Sequence, residues 1–189
     1  MELNITAMAS PSLLTARSNR RVASDGIAYS VGESAFGNIL VARDAQGVCA
    51  ILIGSGPMEL KSDLAERFPQ SELVRDDREL DDDLQKVLRF VETPSSGLIL
   101  ELAMRGTPFQ QRVWKELIKV PPGQIITYAA LAARIGQPTA IRAVAKACAA
   151  NAIALAIPCH RVIRSNGSLS GYRWGVERKR ALLEKEGQP

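Results

Sequence analysis

The residues with the clearest capacity for chemistry are a neighbouring cysteine and histidine, Cys159 and His160, which follow an apolar run that ends at Pro158. A thiolate is a strong nucleophile, and nearby cationic or hydrogen-bonding groups make it easier to form. Arg161 comes next in the chain and could supply such a group. Pro158 restricts the backbone before the cysteine, which helps to hold Cys159 in a fixed turn. The pair alone is also compatible with a buried, inert cysteine beside a surface histidine, which is the commoner case.

A direct hydrogen bond between Cys159 and His160 is not expected, because the side chains of adjacent residues rarely meet head-on. A water molecule between them would let His160 act as the base that takes the thiol proton. A carboxylate would then orient the imidazole, and the candidates are Glu184 and Glu186 in the last predicted helix. Both glutamates could instead belong to a solvated, charged tail.

Two helical stretches before this motif have the layout of a helix-turn-helix. Thr127 is a suitable N-cap for a short helix over 128–135 that ends at a glycine. A second helix begins at Pro138 or Thr139 and reaches about Ala150. Two helices joined by a tight turn with glycine are the arrangement of many DNA-binding proteins.

The second of these helices carries alanines at positions 140, 143 and 147, which the helical period places on one face. Small side chains allow a close approach to another surface, and this helix has few side chains that could read base edges. We therefore expect binding through phosphates and shape, with little sequence preference. Two alternatives stay open: the alanines could pack in the core, and Arg142 could form a surface ion pair instead of contacting DNA.

Charge and cysteine content narrow the class of protein. The net charge is −5 over residues 1–95 and +9 over residues 96–189; a basic C-terminal half suggests a polyanionic partner, although a solvated basic face would look the same. Three cysteines (Cys49, Cys148 and Cys159) and one histidine fit neither a disulfide framework nor a four-ligand zinc site. A reducing compartment is the simplest interpretation. We expect no membrane role, because the apolar runs are too short to span a bilayer.

The chain is expected to combine an α/β first half with a mainly helical second half. Apolar alternation and helical periodicity predict strands over 27–31, 36–42, 48–53 and 98–104, and helices over 57–68, 80–91, 107–120 and 176–186. The predicted divisions are a loosely ordered lead-in at 1–25, a small α/β domain at 26–95, a connecting segment at 96–104 and a helix-turn-helix or winged-helix-like domain at 105–189.

The motif Pro-Cys-His-Arg-Val-Ile at 158–163, with Arg142, Asn151 and the motif Gly-Tyr-Arg-Trp-Gly at 171–175, resembles the O6-alkylguanine-DNA alkyltransferase family. Within that family the chain is most similar to the alkyltransferase half of the bacterial Ada proteins. The resemblance implies DNA repair by direct reversal: the protein flips an O6-alkylated guanine, or less efficiently an O4-alkylated thymine, out of the duplex. The alkyl group then passes irreversibly to Cys159, once per protein molecule.

The resemblance also implies a role for each matching residue. Cys159 is the alkyl acceptor, His160 the water-bridged base and Glu186 the carboxylate that polarises it. Tyr128 crowds the target phosphate and donates to the base, and Arg142 replaces the flipped nucleotide. The implied pocket comprises Tyr128, Cys159, Val162, Tyr172 and Arg173. The implied DNA-binding residues are Thr139, Ala140, Arg142, Ala143, Lys146, Ala147 and Asn151, the last of which also supports the cysteine turn.

The same resemblance implies a monomer that binds the minor groove of double-stranded DNA with little sequence specificity. It implies no cofactor and no metal, and the bacterial cytoplasm as the site of action. Two other classes of protein remain open. A lesion-sensing or regulatory helix-turn-helix protein would bind DNA without alkyl transfer. A cysteine hydrolase would need a base that reaches the thiol directly, whereas the only histidine is adjacent to Cys159.

Overall fold

The computed structural model describes residues 26–169 and 171–187, so the predicted lead-in at 1–25 lies outside the described residues. The first half is built on a four-stranded sheet with the strand order β3-β2-β1-β4. β1 pairs with β2 and β2 with β3 in antiparallel fashion, whereas β1 and β4 are parallel. The strands are β1 (Gly26–Ser34), β2 (Gly37–Asp44), β3 (Gly47–Gly54) and β4 (Glu72–Arg75).

Strand β3 is buried along its whole length, which explains its nearly continuous apolar sequence. It begins at Gly47, where φ is +138° and a Cβ atom would lie 2.6 Å from the carbonyl oxygen of Glu101. Glycine is therefore required at this close approach. The amide of Gln46 donates to Asp44 Oδ1 at 2.7 Å, which closes the predicted turn between β2 and β3.

Two helices cover the sheet, α1 (Pro57–Arg67) and α2 (Asp81–Glu92), and both were predicted to within a residue or two. The predicted strand over 98–104 is wrong, because this segment forms only one isolated bridge, between Leu102 and Val48. β4 had no prediction. It is short, largely exposed and partly charged, so its residues do not alternate between apolar and polar.

The described residues of the second half form four α-helices: α3 (Pro108–Ile118), α4 (Tyr128–Arg134), α5 (Ile141–Ala149) and α6 (Val176–Lys185). Thr107 and Gln110 form a capping box at the start of α3, and Thr127 Oγ1 accepts a hydrogen bond from the amide of Ala130 at 3.1 Å. These caps satisfy amide groups that the helix itself leaves unpaired. The predicted α/β first half and helical second half, with α4 and α5 as the helix-turn-helix pair, are confirmed.

Two short backbone pairings carry the fold toward Cys159. The amide of Ile51 in β3 donates to the carbonyl of Ala152, and the amide of Ala154 donates back to Ile51, both at 2.9 Å. Further along, β5 (Ile126–Thr127) pairs in parallel with β6 (Val162–Ile163). The segment around the cysteine is therefore fixed on one side by the sheet and on the other by the start of α4. No helix in the described ranges is long and apolar enough to span a membrane.

Candidate active site

Cys159 begins a 3-10 turn, Cys159–Arg161, that one buried asparagine holds in place. Asn151 follows α5 and is completely buried. Its Nδ2 atom donates to the carbonyl of Ile157 at 2.9 Å and lies 3.2 Å from Cys159 Sγ, while its Oδ1 accepts from the amide of Ile153 at 2.9 Å. One side chain thus connects the end of α5, the approach to the turn and the sulfur atom itself.

The residues after the cysteine form a buried charge network with the end of α6. His160 Nε2 lies 3.0 Å from Glu186 Oε1. Arg161 donates to both oxygens of the same carboxylate, from Nε to Oε2 at 2.9 Å and from Nη2 to Oε1 at 2.7 Å. The Glu186 side chain is only 1% exposed and His160 is fully buried. Both predicted partners of the cysteine, His160 and Glu186, therefore meet beside it, whereas Glu184 is exposed.

The network fixes the charges of its members. Burial raises the pKa of the Glu186 carboxyl, but the hydrogen bonds from His160 and Arg161 and the positive charge of Arg161 outweigh it and bring this pKa to about 2. Burial lowers the pKa of His160 more strongly than Glu186 raises it, so the imidazole is neutral at pH 7. A neutral ring that donates from Nε2 to Glu186 carries its lone pair on Nδ1. This nitrogen is buried and has no hydrogen-bond partner among the described residues.

Cys159 is held as a neutral thiol in this arrangement. Burial raises its pKa to about 11, although the hydrogen bond from Asn151 and the charge of Lys179 act in the opposite direction. Lys179 is fully buried in α6, and its Nζ donates to the carbonyl of Val162 at 2.5 Å. A base must therefore remove the thiol proton before the sulfur can act as a nucleophile at neutral pH.

The loop before α6 closes over the histidine. The Tyr172 ring makes edge-to-face contacts with Trp174, at 5.1 Å between centroids, and with His160, at 6.4 Å. The Tyr172 hydroxyl and the Trp174 indole nitrogen are buried without a hydrogen-bond partner in the described ranges. These two donors and the lone pair of His160 Nδ1 give this region three buried polar atoms that a flat polar ligand could engage.

Arg173 and Ala147 differ from the sequence-based prediction. Arg173 was expected to line the pocket, but its Nη2 donates to Asp63 Oδ1 in α1 at 2.8 Å. Ala147 was expected on the DNA-facing side of α5, yet it is 2% exposed and its carbonyl accepts from Trp114 Nε1. The alanine stripe lies at the border of the buried face of α5, so its members do not share one environment.

Asn151 was also expected to contact DNA, but it is completely buried and its side chain holds the cysteine turn. The remaining predicted DNA-binding residues occupy positions open to a partner. The exposed ones are Thr139, Arg142, Ala143 and Lys146, and Ala140 is partly exposed. Tyr128, the first residue of α4, is partly buried, and Val162 is buried in β6.

Comparison with known proteins gives one consistent result. A family model described as the DNA-binding domain of 6-O-methylguanine DNA methyltransferase matches residues 108–188. The chain is 39% identical over 169 residues to a methylated-DNA–protein-cysteine methyltransferase of Candida albicans, covering 84% of this chain and 95% of that protein. This chain belongs to that methyltransferase family.

Within the family, the chain is 43% identical over 162 residues to the bifunctional transcriptional activator and DNA repair enzyme Ada of Escherichia coli. The match covers 86% of this chain but 46% of Ada, so the chain spans about half the length of that relative. It also superimposes on the Mycobacterium tuberculosis methyltransferase structure in complex with DNA. That match has a TM-score of 0.67 at 34% identity and covers 84% of this chain and 92% of that one.

Two residues of the site have roles that the sequence did not predict. Arg161 was expected to act on the thiolate, but it pairs with Glu186 and so fixes the carboxylate that contacts His160. Lys179 was not identified. A signal existed: Lys179 lies three residues before Leu182, on the buried face of α6, where a cation requires a partner.

Proposed function

We propose that this protein repairs O6-alkylguanine in duplex DNA by transferring the alkyl group to its own Cys159. The observation that carries the proposal is a set of buried contacts around the sulfur. Asn151 contacts Cys159 Sγ, and the following residue, His160, contacts the ionised carboxylate of Glu186. Family membership supports the same chemistry, because relatives over most of this chain are named methylated-DNA–protein-cysteine methyltransferases.

The reaction begins when the damaged nucleotide leaves the base stack, because a stacked base does not expose its O6 substituent to a buried thiol. The thiol proton of Cys159 passes through a bridging water to His160 Nδ1, and Glu186 stabilises the imidazolium that forms. The thiolate attacks the alkyl carbon as the carbon–O6 bond breaks, and the bonding electron pair remains on the guanine.

Tyr128 donates a proton to the leaving guanine, which offsets the negative charge that develops on it. The product is a thioether at Cys159 and an unmodified guanine. A thioether is chemically stable, so each protein molecule reacts once, without a cofactor or metal. O4-alkylthymine is a poorer substrate of the same pocket.

DNA binds at the exposed side of α5. Ala143 and Ala140 permit a close approach to the minor groove, Thr139 and Lys146 contact phosphates, and Arg142 fills the gap left by the flipped nucleotide. None of these contacts depends on base identity, so the sequence preference is weak. The protein works as a monomer in the bacterial cytoplasm, with its DNA-binding and acceptor domain at residues 105–189.

The test is the intact mass of the protein after incubation with a duplex oligonucleotide that contains O6-methylguanine. We expect a stoichiometric gain of one methyl group, which Cys159→Ala abolishes and Cys148→Ala leaves unchanged. Cys148 is the matched control because it is also a buried, free cysteine of the second half. Lesion binding without a mass gain would contradict alkyl transfer and favour a lesion-sensing protein.

A further inference from the structure

A cleft of about 410 Å³ lies between the two halves of the molecule, and it is separate from the surroundings of His160 and Glu186. Its volume is within the range of small-molecule sites. The residues that line it come from β3, the end of α1, α3 and the segment after α5. Those that matter here are Cys49, Arg67, Phe68, Arg105, Trp114 and Asn151.

Two arginines line this cleft, Arg67 and Arg105, and no carboxylate does, although Arg105 Nη2 donates to the buried carboxylate of Asp44 behind the wall. Arg67 Nε contacts Asp63 Oδ1 at 3.1 Å, but Asp63 is shared with Arg173. Arg67 Nη2 is buried and has no hydrogen-bond partner in the described part of the chain. A buried guanidinium N–H without an acceptor is unfavourable, and a carboxylate oxygen is the acceptor that matches it best.

The remaining walls favour a flat apolar body. Phe68 and Trp114 present aromatic surface, and Ile153 and Ile157 add aliphatic surface. The guanidinium of Arg105 lies 5.6 Å from the centre of the Phe68 ring, so a cation and an aromatic face are already paired at the wall. Aromatic rings pack well against such surfaces, through burial and through stacked or edge-on contacts.

We propose that this cleft binds a small aromatic carboxylate, with the carboxylate on Arg67 and the ring against Phe68 and Trp114. Asn151 lines the same cleft and also contacts Cys159 Sγ. A ligand there changes the rate of alkyl transfer by shifting this amide. The effect on rate rests on the proposed function, whereas binding in the cleft does not.

Binding is tested with benzoate, in comparison with benzamide, which keeps the ring and lacks the charge, and with inorganic phosphate, which has charge and no ring. The chain has two tryptophans, so its indole N–H region in a ¹H–¹⁵N spectrum contains two signals. We expect benzoate to shift the Trp114 signal in a saturable way. Benzamide and phosphate should bind at least about tenfold more weakly.

Arg67→Gln should weaken benzoate binding about tenfold, and Arg112→Gln is the matched control because Arg112 lies on α3 and does not line the cleft. Ser71→Phe provides a second variant, which narrows the cleft without removing a charge. Calorimetry gives the affinities, and thermal unfolding verifies that each variant is folded.

The outcomes separate the two parts of the proposal. An unchanged Trp114 signal up to about 10 mM benzoate, or equal binding of benzamide or of phosphate, overturns the site. Equal affinity in Arg67→Gln overturns the assigned anchor. With benzoate bound, an unchanged rate of methyl transfer overturns the connection through Asn151. A protein that binds benzoate but transfers no methyl group under any condition would contradict the proposed function and leave the site intact.

Discussion

Cys49 in the sheet and Cys159 in the turn are both buried, yet their surroundings differ in kind. Cys49 is 2% exposed, and its Sγ contacts the backbone carbonyl of Ala42 at 3.5 Å. Burial and the charge of Asp44 raise its pKa to about 12, despite the opposing charge of Arg105. Cys159 is 5% exposed with a pKa raised to about 11. The resting acidity of the two thiols is therefore nearly the same.

The difference lies in the groups that could receive and replace the proton. Cys159 has an amide donor on its sulfur, a buried lysine nearby and a neutral histidine next in the chain whose Nδ1 is available. Cys49 lies on β3 near the charges of Asp44 and Arg105, but the single histidine of the chain is the residue after Cys159. In the proposed reaction, Cys159 therefore differs from Cys49 by a route for its proton and not by a much lower resting pKa.

The largest effect is expected for His160→Gln. The glutamine keeps a polar group near Glu186 but cannot take the thiol proton, so methyl transfer should slow by about 100-fold to 1,000-fold. The single-turnover rate on an oligonucleotide with O6-methylguanine measures it. Cys49→Ser should leave the rate unchanged. A loss of less than about tenfold would mean that another group receives the thiol proton. His160 would then not be the feature that distinguishes Cys159 from Cys49.

The second-largest effect is expected on the stability of the fold at acidic pH. Glu186 has a pKa of about 2 in the folded protein and an ordinary value when unfolded. Its contribution to stability is therefore complete above about pH 5 and is lost as the pH falls toward 2. The contribution is about 3 kcal/mol at neutral pH. Denaturant unfolding at pH 7 and at pH 3 should show wild-type losing more free energy of unfolding than Glu186→Gln.

Glu184→Gln is the matched control for that experiment, because it makes the same change at an exposed site two residues away. It should follow the wild-type pH dependence. If Glu186→Gln and wild-type lost equal free energy on acidification, the carboxylate would not be held in its ionised form by His160 and Arg161.

The sequence predicted the site better than the sheet, for identifiable physical reasons. Cys159 and His160 stand out because the chain has three cysteines and one histidine, whereas Glu186 was preferred to Glu184 only through the family resemblance. The structure brings His160 and Glu186 together. β4 was missed because an exposed edge strand has no apolar alternation. The burial of Ala147 could not be predicted, since a methyl group at the border of a helix face suits both core and surface.

The partners of Arg173 and Arg161 could not be predicted for a different reason. A charged side chain is long enough to reach several partners, and the sequence does not say which one the fold places nearby. Arg173 meets Asp63, 110 residues earlier in the chain, and Arg161 meets Glu186. The first pairing depends on how the two halves pack and the second on how α6 packs against the cysteine turn, and local sequence patterns encode neither.

Removal of the amide on the sulfur should have a smaller effect than removal of the base. Asn151→Ala leaves the carbonyl of Ile157 without its donor and frees the sulfur, so we expect about tenfold slower transfer and about 1–3 kcal/mol lower stability. Asn38→Ala is the control: Asn38 also donates to a backbone carbonyl, that of Ser55 at 3.2 Å, but at an exposed site. Equal loss of stability in both variants would show that the buried hydrogen bonds of Asn151 stabilise the fold no more than the exposed one of Asn38.

The smallest effect on alkyl transfer is expected for Arg142→Ala. This variant separates flipping of the damaged nucleotide from its reaction with Cys159. Arg142 is exposed on α5 and takes no part in the contact between His160 and Glu186. Affinity for duplex DNA should fall about tenfold, because nothing then fills the gap left by the flipped nucleotide. The rate with free O6-methylguanine base should not change, because no nucleotide has to be flipped. A slower reaction with the free base would show that Arg142 acts on the cysteine itself, and the reactive surroundings of Cys159 would then extend to the surface of α5.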